Sequence, residues 1–148
     1  MLKLPPPIWS VVYLLAAAGV SWAAGWPRLD ALYNPAAGIA LFVLGWAPPI
    51  WAVALFRREA TEINPTSAAN RALVTAGPFR FTRNPMYLGL VVMTLGVAVW
   101  SGAGPMFLAP IATFATANWV HVPCEEAKMR RQFGDTFEAY TRKVRRWI

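Results

Sequence analysis

The sequence predicts an all-α protein built into a membrane: a bundle of about four transmembrane helices followed by amphipathic helices on the cytoplasmic side. Three observations carry this reading. The 148 residues are 57% hydrophobic and 14% charged, where a soluble domain averages about 45 to 50% apolar and about 25% charged. The charges are gathered: Arg57, Arg58, Arg71, Arg80 and Arg83 form one block, and seven Lys and Arg follow residue 121. Between the blocks lie charge-free stretches of about the 17 to 25 residues that cross a bilayer core.

The spans fall near residues 8–25, 36–56, 86–102 and 105–120 of a single membrane domain covering 1–148, with a loop at 70–89 and a tail at 121–148. Only Lys3 precedes the first span, a PPP run interrupts its start and three spans follow, so it reads as retained rather than as a cleaved signal. In the second, Gly45, Pro48 and Pro49 predict a kink, because each proline removes an N–H and frees a carbonyl four residues back. That kink either improves helix fit or shapes a cavity. Gly89 and Gly96 of the third span share one face, where small residues let a second helix approach. In the fourth, Thr113, Thr116 and Asn118 run toward the cytoplasmic end, and an Asn at that depth faces protein or a polar cavity; Asn118 is a candidate substrate-binding residue.

The tail carries a different pattern. Met129, Phe133, Phe137, Tyr140, Val144 and Trp147 make an apolar stripe at helical spacing. Gly134 ends one helix, and Asp135 with Glu138 opens the next as a capping box. Such helices lie on the membrane or roof the bundle.

Orientation follows from the positive-inside rule. The turn at 26–35 holds only Arg28, offset by Asp30, and the turn SGAGP has no charge. With both turns outside, all of the 14 Lys and Arg except Arg28 fall on the cytoplasmic side, as do both termini. The protein is thus expected to be multi-pass, in the inner membrane if bacterial. The net charge of +7 becomes a topology signal with affinity for anionic headgroups, and nucleic acid is not expected as a partner. A single Cys124 and a single His121 exclude an internal disulfide and a closed zinc site, so no metal is expected.

Unusual residues crowd into Thr75-Ala-Gly-Pro-Phe-Arg-Phe-Thr-Arg-Asn-Pro-Met-Tyr-Leu-Gly89. Gly77-Pro78 makes a tight turn, and Asn84-Pro85 sets an extended residue ahead of a helix start. Arg83 and Asn84 then sit at a helix N-terminus, where free N–H groups suit a carboxylate or phosphate; alternatively this is a loop entering a membrane helix, with Arg83 snorkelling and Tyr87 in the aromatic belt. The second cluster, Glu125-Glu126, follows Pro123 just after the fourth span and reads either as an acidic helix start or as a site. Both clusters lie at one rim, so a zwitterionic ligand could set its carboxylate near Arg83 and its ammonium near a Glu. The lone His121 reads as a hydrogen-bonded interfacial residue.

The run GPFRFTRNPMYLG, followed some 35 residues later by EE and then by FGDTFEAY and VRRW, resembles the isoprenylcysteine carboxyl methyltransferase and phospholipid methyltransferase superfamily over residues 70–148. The resemblance implies an integral-membrane methyltransferase that uses S-adenosylmethionine and acts on a lipophilic acceptor (a carboxylate, amine or thiol) entering from the lipid bilayer. It implies cofactor contacts from Thr75, Gly77, Pro78, Phe79, Arg83, Asn84, Pro85, Tyr87, Leu88, Glu125 and Glu126. Asn84 stands where His is often found, so a role that needs a titrating imidazole is not carried over. An Arg after the acidic pair is associated with the acceptor; Arg131 is the match, with Arg130 the alternative. Arg131 and Glu126 are the implied catalytic pair, and Glu126 or His121 would help only an amine acceptor lose its proton. The other readings are a membrane reductase of related architecture using NADPH and a non-enzymatic bundle.

Overall fold

The computed structural model describes residues 5–58 and 72–148; Lys3, Arg71 and the start of the 70–89 loop lie outside them. Helix α1 (Pro6–Ala23) begins on prolines, which need no N–H partner in a first turn. It buries Ser10, Ala17 and Ser21 while Leu15 and Trp22 are 68% and 75% exposed. A water-soluble core would reverse that arrangement; small residues inside and large apolar ones outside suit helices in lipid. Helix α2 (Pro35–Gly45) is capped by Asn34, whose Oδ1 accepts from the Ala37 N–H at 3.0 Å. It breaks at Trp46 and resumes as α3 (Ala47–Arg58), because neither Pro48 nor Pro49 can donate to the turn before it.

Helix α4 (Pro85–Ser101) packs on α2 backbone to backbone. A Cβ at Gly45 would lie 2.8 Å from Met93 N and 2.9 Å from Gly89 O, and one at Gly96 would lie 2.7 Å from Gly38 O. Gly45 is thus a packing residue as well as part of the kink, and Gly38 is the partner that the sequence did not single out.

The fourth stretch is not the uniform helix expected over 105–120. A tight turn (Gly104–Phe107) leads into α5 (Leu108–Thr116), a π turn (Ala117–His121) and then α6 (Val122–Lys143) without leaving helical backbone. Pro123 accounts for the π turn, since its ring would crowd the Trp119 carbonyl and it brings no N–H. By length and composition two rods can cross a membrane, Pro6–Ala23 and the broken rod Pro35–Arg58, with mean hydropathy 1.3 and 2.0; Pro85–Ser101 is a shorter apolar helix. Among the described residues every regular element is helical, apart from one bridge between Arg28 and Ala103.

That bridge joins the two charge-poor turns. Leu29 N donates to Gly102 O at 2.8 Å and Gly104 N to Pro27 O at 2.9 Å. Both turns therefore share one end of the bundle, and the start of α4 meets the tail at the other.

The tail departs from expectation in two places. Gly134 does interrupt α6, with φ 47 and ψ −125, but Glu138 turns to Arg130 Nε at 2.8 Å and to the Thr141 hydroxyl instead of back toward Asp135. The helix then ends at an extended Val144, φ −124 and ψ 129. The chain folds back at Gly134, which lets Arg130 reach Glu138 and Arg83 meet both Glu126 and Thr141; the apolar stripe is helical only as far as Tyr140, and the extended end carries Trp147 to Asn118.

Candidate functional site

The site grows from the turn before α4. Gly77 has φ +57, and a Cβ there would meet Leu55 Cδ1 at 2.6 Å and the Trp51 indole, so both conformation and space require glycine. The tight turn Gly77–Arg80 buries Pro78 and Phe79. Tyr140 donates its hydroxyl to Phe79 O at 2.7 Å, and burial pushes the Tyr140 phenol up to about 12. It stays protonated and holds the tail against the turn.

The chain end completes the start of α4. Arg83 N donates to Arg145 O at 3.0 Å. Thr82 Oγ1 and Asn84 Nδ2 both donate to Arg146 O, at 3.0 and 2.9 Å. The Asn84 amide thus makes a backbone hydrogen bond that needs no titrating imidazole. Arg83 Nη1 donates to Val144 O at 2.6 Å, and its Nη2 meets Glu126 Oε1 at 2.7 Å. Arg146 approaches the same carboxylate from the other side, Nη2 to Oε2 at 2.8 Å and Nε to Oε1 at 3.2 Å.

The two adjacent acids consequently differ. Burial favours the neutral form of Glu126, but hydrogen bonds from Arg146 and Arg83, with their charges, outweigh it and hold the carboxyl below the usual range. Burial dominates at Glu125 and raises it, only partly countered by the Tyr87 hydroxyl that donates to Oε1 at 2.6 Å. Environments that push paired carboxyls apart assign them different work. Glu126 is a fixed anion clamped by two guanidiniums; Glu125 keeps acceptor capacity for a cation.

Both acids line a cavity of about 300 Å³, at the small end of ligand pockets, which run from about 300 to 1,000 Å³. Of the residues expected at the cofactor, Phe79, Arg83, Asn84, Pro85, Tyr87, Glu125 and Glu126 line it. Thr75 is exposed, and it, Gly77, Pro78 and Leu88 stand outside the lining, with Gly77 and Pro78 shaping the turn that carries Phe79. Two other expected residues stand outside the lining. Arg131 is exposed and does not line the cavity. Asn118 does not line it either, because its Oδ1 accepts from Trp147 Nε1 at 3.0 Å and from Arg146 Nη1 at 3.5 Å. Lys128, Met129, Phe137 and Tyr140 line the cavity and were not picked out as site residues; for Lys128 and Met129 the available signal was their spacing of 3 and 4 residues from Glu125, while Phe137 and Tyr140 lie beyond the break at Gly134. The far wall is apolar and includes Trp46, Pro49 and Phe56. Among the described residues no three His, Cys, Asp or Glu side chains converge to hold a metal ion.

Helices that turn large apolar side chains outward, two of them long and apolar enough to cross a membrane, surround a cavity with acids at one rim. The profile of the phospholipid methyltransferase family matches residues 33–136. The chain belongs to that family, and methyltransferase activity is its general class. An uncharacterized protein of Haemophilus influenzae is 33% identical over 63 residues, which are 43% of this chain and 100% of that one. No solved structure matches.

Proposed function

We propose that the protein transfers a methyl group from S-adenosylmethionine to a lipophilic acceptor at the membrane. The observation that carries the reading is Glu125, a half-buried carboxyl whose hydrogen-bond partner among the described residues is the Tyr87 hydroxyl, facing a cavity whose opposite wall is apolar. When bound, S-adenosylmethionine supplies an electrophilic methyl group on a sulfonium, and its transfer is one displacement governed by positioning and exclusion of water.

The residues present suit such a ligand. Glu125 accepts from the ammonium of its methionine portion, a charge-assisted bond strengthened by burial. Phe79, Phe137 and Tyr140 offer aromatic faces. Glu126 serves the site by fixing Arg83 and Arg146, and so acts as a positioning group rather than as a base. The acceptor, whether carboxylate, amine or thiol, comes from the lipid past Trp46 and Pro49, where the broken rod borders the cavity. In the same proposal residues 105–120 complete a fourth span, the shared end of the two charge-poor turns lies outside, and both termini are cytoplasmic.

Protein in lipid nanodiscs, titrated separately with S-adenosylmethionine and NADPH, tests this. Binding of the first alone is expected. Binding of NADPH alone turns the reading to a reductase, and binding of neither turns it to a non-enzymatic bundle. Incubation with methyl-labelled cofactor and lipid amines, thiols and carboxylates then identifies the acceptor.

A further inference from the structure

Bordered by Pro6, Tyr87 and Leu90, which also line the main cavity, lies a second, much smaller, partly open chamber of about 10 Å³. Its walls include Ser10 of α1, Tyr87 and Leu90 of α4, Thr113 of α5 and His121 of the π turn. Ser10, Thr113 and His121 are each 5% exposed. Among the described residues Ser10 Oγ, Thr113 Oγ1 and His121 Nε2 have no hydrogen-bond partner. The neighbouring hydroxyls of Tyr13 and Thr116 satisfy each other at 2.6 Å, so these three atoms form a set of their own.

Buried polar atoms are almost always paired, and leaving one unpaired is costly. Three of them around a space that admits about one probe sphere match what a buried water requires, namely about 10 to 15 Å³ and two to four polar partners. Among the described residues the lining carries no Asp, Glu, Lys or Arg side chain, which suits a neutral occupant. Two hydroxyls that donate and accept, with one imidazole nitrogen, can satisfy a molecule having two donors and two acceptors.

The chamber also has a mechanical connection. The His121 ring stacks on Tyr87, with centroids 6.0 Å apart and planes 22° from parallel, and Tyr87 donates to Glu125 at 2.6 Å. Helix α1 lies wholly outside the matched segment 33–136, so the part of this support contributed by Ser10 comes from beyond the segment that defines the family.

We propose that this chamber binds one water molecule between Ser10, Thr113 and His121, and that His121, held through it, is a positioning residue for the Tyr87–Glu125 pair. The inference goes beyond the methyltransferase reading and does not rest on it.

His121 is the single histidine, so its ¹⁵N-labelled ring reports one site. Spectra are recorded in nanodiscs without cofactor, together with the ring signal of ¹³C-labelled Tyr87, assigned with Tyr87→Phe. A water-to-imidazole cross-peak at Nε2 is expected in the native protein and in Thr113→Ser, which keeps the hydroxyl. Ser10→Val, which fills the chamber, should abolish the cross-peak and displace both the His121 and the Tyr87 signals. Ser10→Ala and Thr113→Val combined, which remove hydroxyls while adding little bulk, should do the same if Ser10→Val does not fold. Absence of the cross-peak in native protein, or its survival in the filled or hydroxyl-free variants, overturns the water site. An unmoved Tyr87 signal once the water is lost overturns the positioning role. Because no cofactor is present, neither outcome depends on the proposed activity.

Discussion

Replacing Glu125 and Glu126 singly with Gln should separate binding from stability. The Glu126 side chain is 7% exposed and sits between Arg83, 12% exposed at 2.7 Å, and Arg146, 35% exposed at 2.8 Å. Removing one partner of a fully buried ion pair costs about 3 to 5 kcal/mol. Gln still offers one acceptor and Arg146 is partly solvated, which lowers the expected cost of Glu126→Gln to about 2 to 4 kcal/mol. At about 2 to 4 °C per kcal/mol for a chain of this size, the melting temperature should fall by roughly 4 to 16 °C. Glu125→Gln keeps an acceptor for the Tyr87 hydroxyl and removes a carboxylate that burial disfavours, so its melting temperature should hold or rise. Its loss should be in the cofactor: a charge-assisted bond of about 1.5 to 3 kcal/mol corresponds to about 10- to 150-fold weaker binding. Thermal unfolding in nanodiscs and calorimetric titration with S-adenosylmethionine read the two quantities. If Glu126→Gln melts like the native protein while losing the cofactor, and Glu125→Gln binds it unchanged, the division of labour is wrong.

The same two groups set a pH dependence. Glu126 is depressed in the fold, so its stabilisation is present above the ordinary 4.5 and lost as pH falls through its folded value; Glu125 is raised, so its contribution is present below 4.5 and lost as pH rises through its folded value. Cofactor affinity should therefore rise with pH through a transition above 4.5, and Glu125→Gln should abolish that transition in the titration. At the helix seam, Gly96→Val should cost about 1 to 3 kcal/mol by overpacking, read as a lowered melting temperature, since even its Cβ would lie 2.5 Å from Phe42 N. For topology, Asp30→Cys in a Cys124→Ser background should label from outside intact cells with an impermeant reagent, and labelling only after lysis reverses the orientation.

What could be read in the sequence was local chemistry. Gly77-Pro78, Asn84-Pro85 and Glu125-Glu126 announce themselves through turn geometry and charge, and charge-poor turns against basic blocks correctly paired the turns at one end. The Gly38 seam was half visible: Gly89 and Gly96 marked a packing face on α4, but nothing in a single chain says which helix comes to it. The docking of the chain end on the start of α4 was not legible, because it is made by the carbonyls of Val144, Arg145 and Arg146, and every residue carries a carbonyl. For the same reason Asn118 was read as facing a site, whereas Trp147, 29 residues on, takes its side-chain oxygen. The π turn left one trace, Pro123, which was read only as opening a new helix after the fourth span.

The glycine seam between α2 and α4 has a thermodynamic consequence. Backbones that touch at Gly38–Gly96 and Gly45–Gly89 gain from close contact between atoms, while large apolar side chains of α2 such as Ile39, Val43 and Leu44 stay turned to the surroundings. Drawing these helices apart in lipid would wet little hydrocarbon, and it is the wetting of hydrocarbon that gives soluble domains their unfolding heat capacity of about 12 to 15 cal/mol/K per residue. The separation should therefore have a heat capacity change close to zero and a nearly straight dependence of free energy on temperature. Cold would not loosen such a contact, whereas acyl chains short enough to wedge between the rods would.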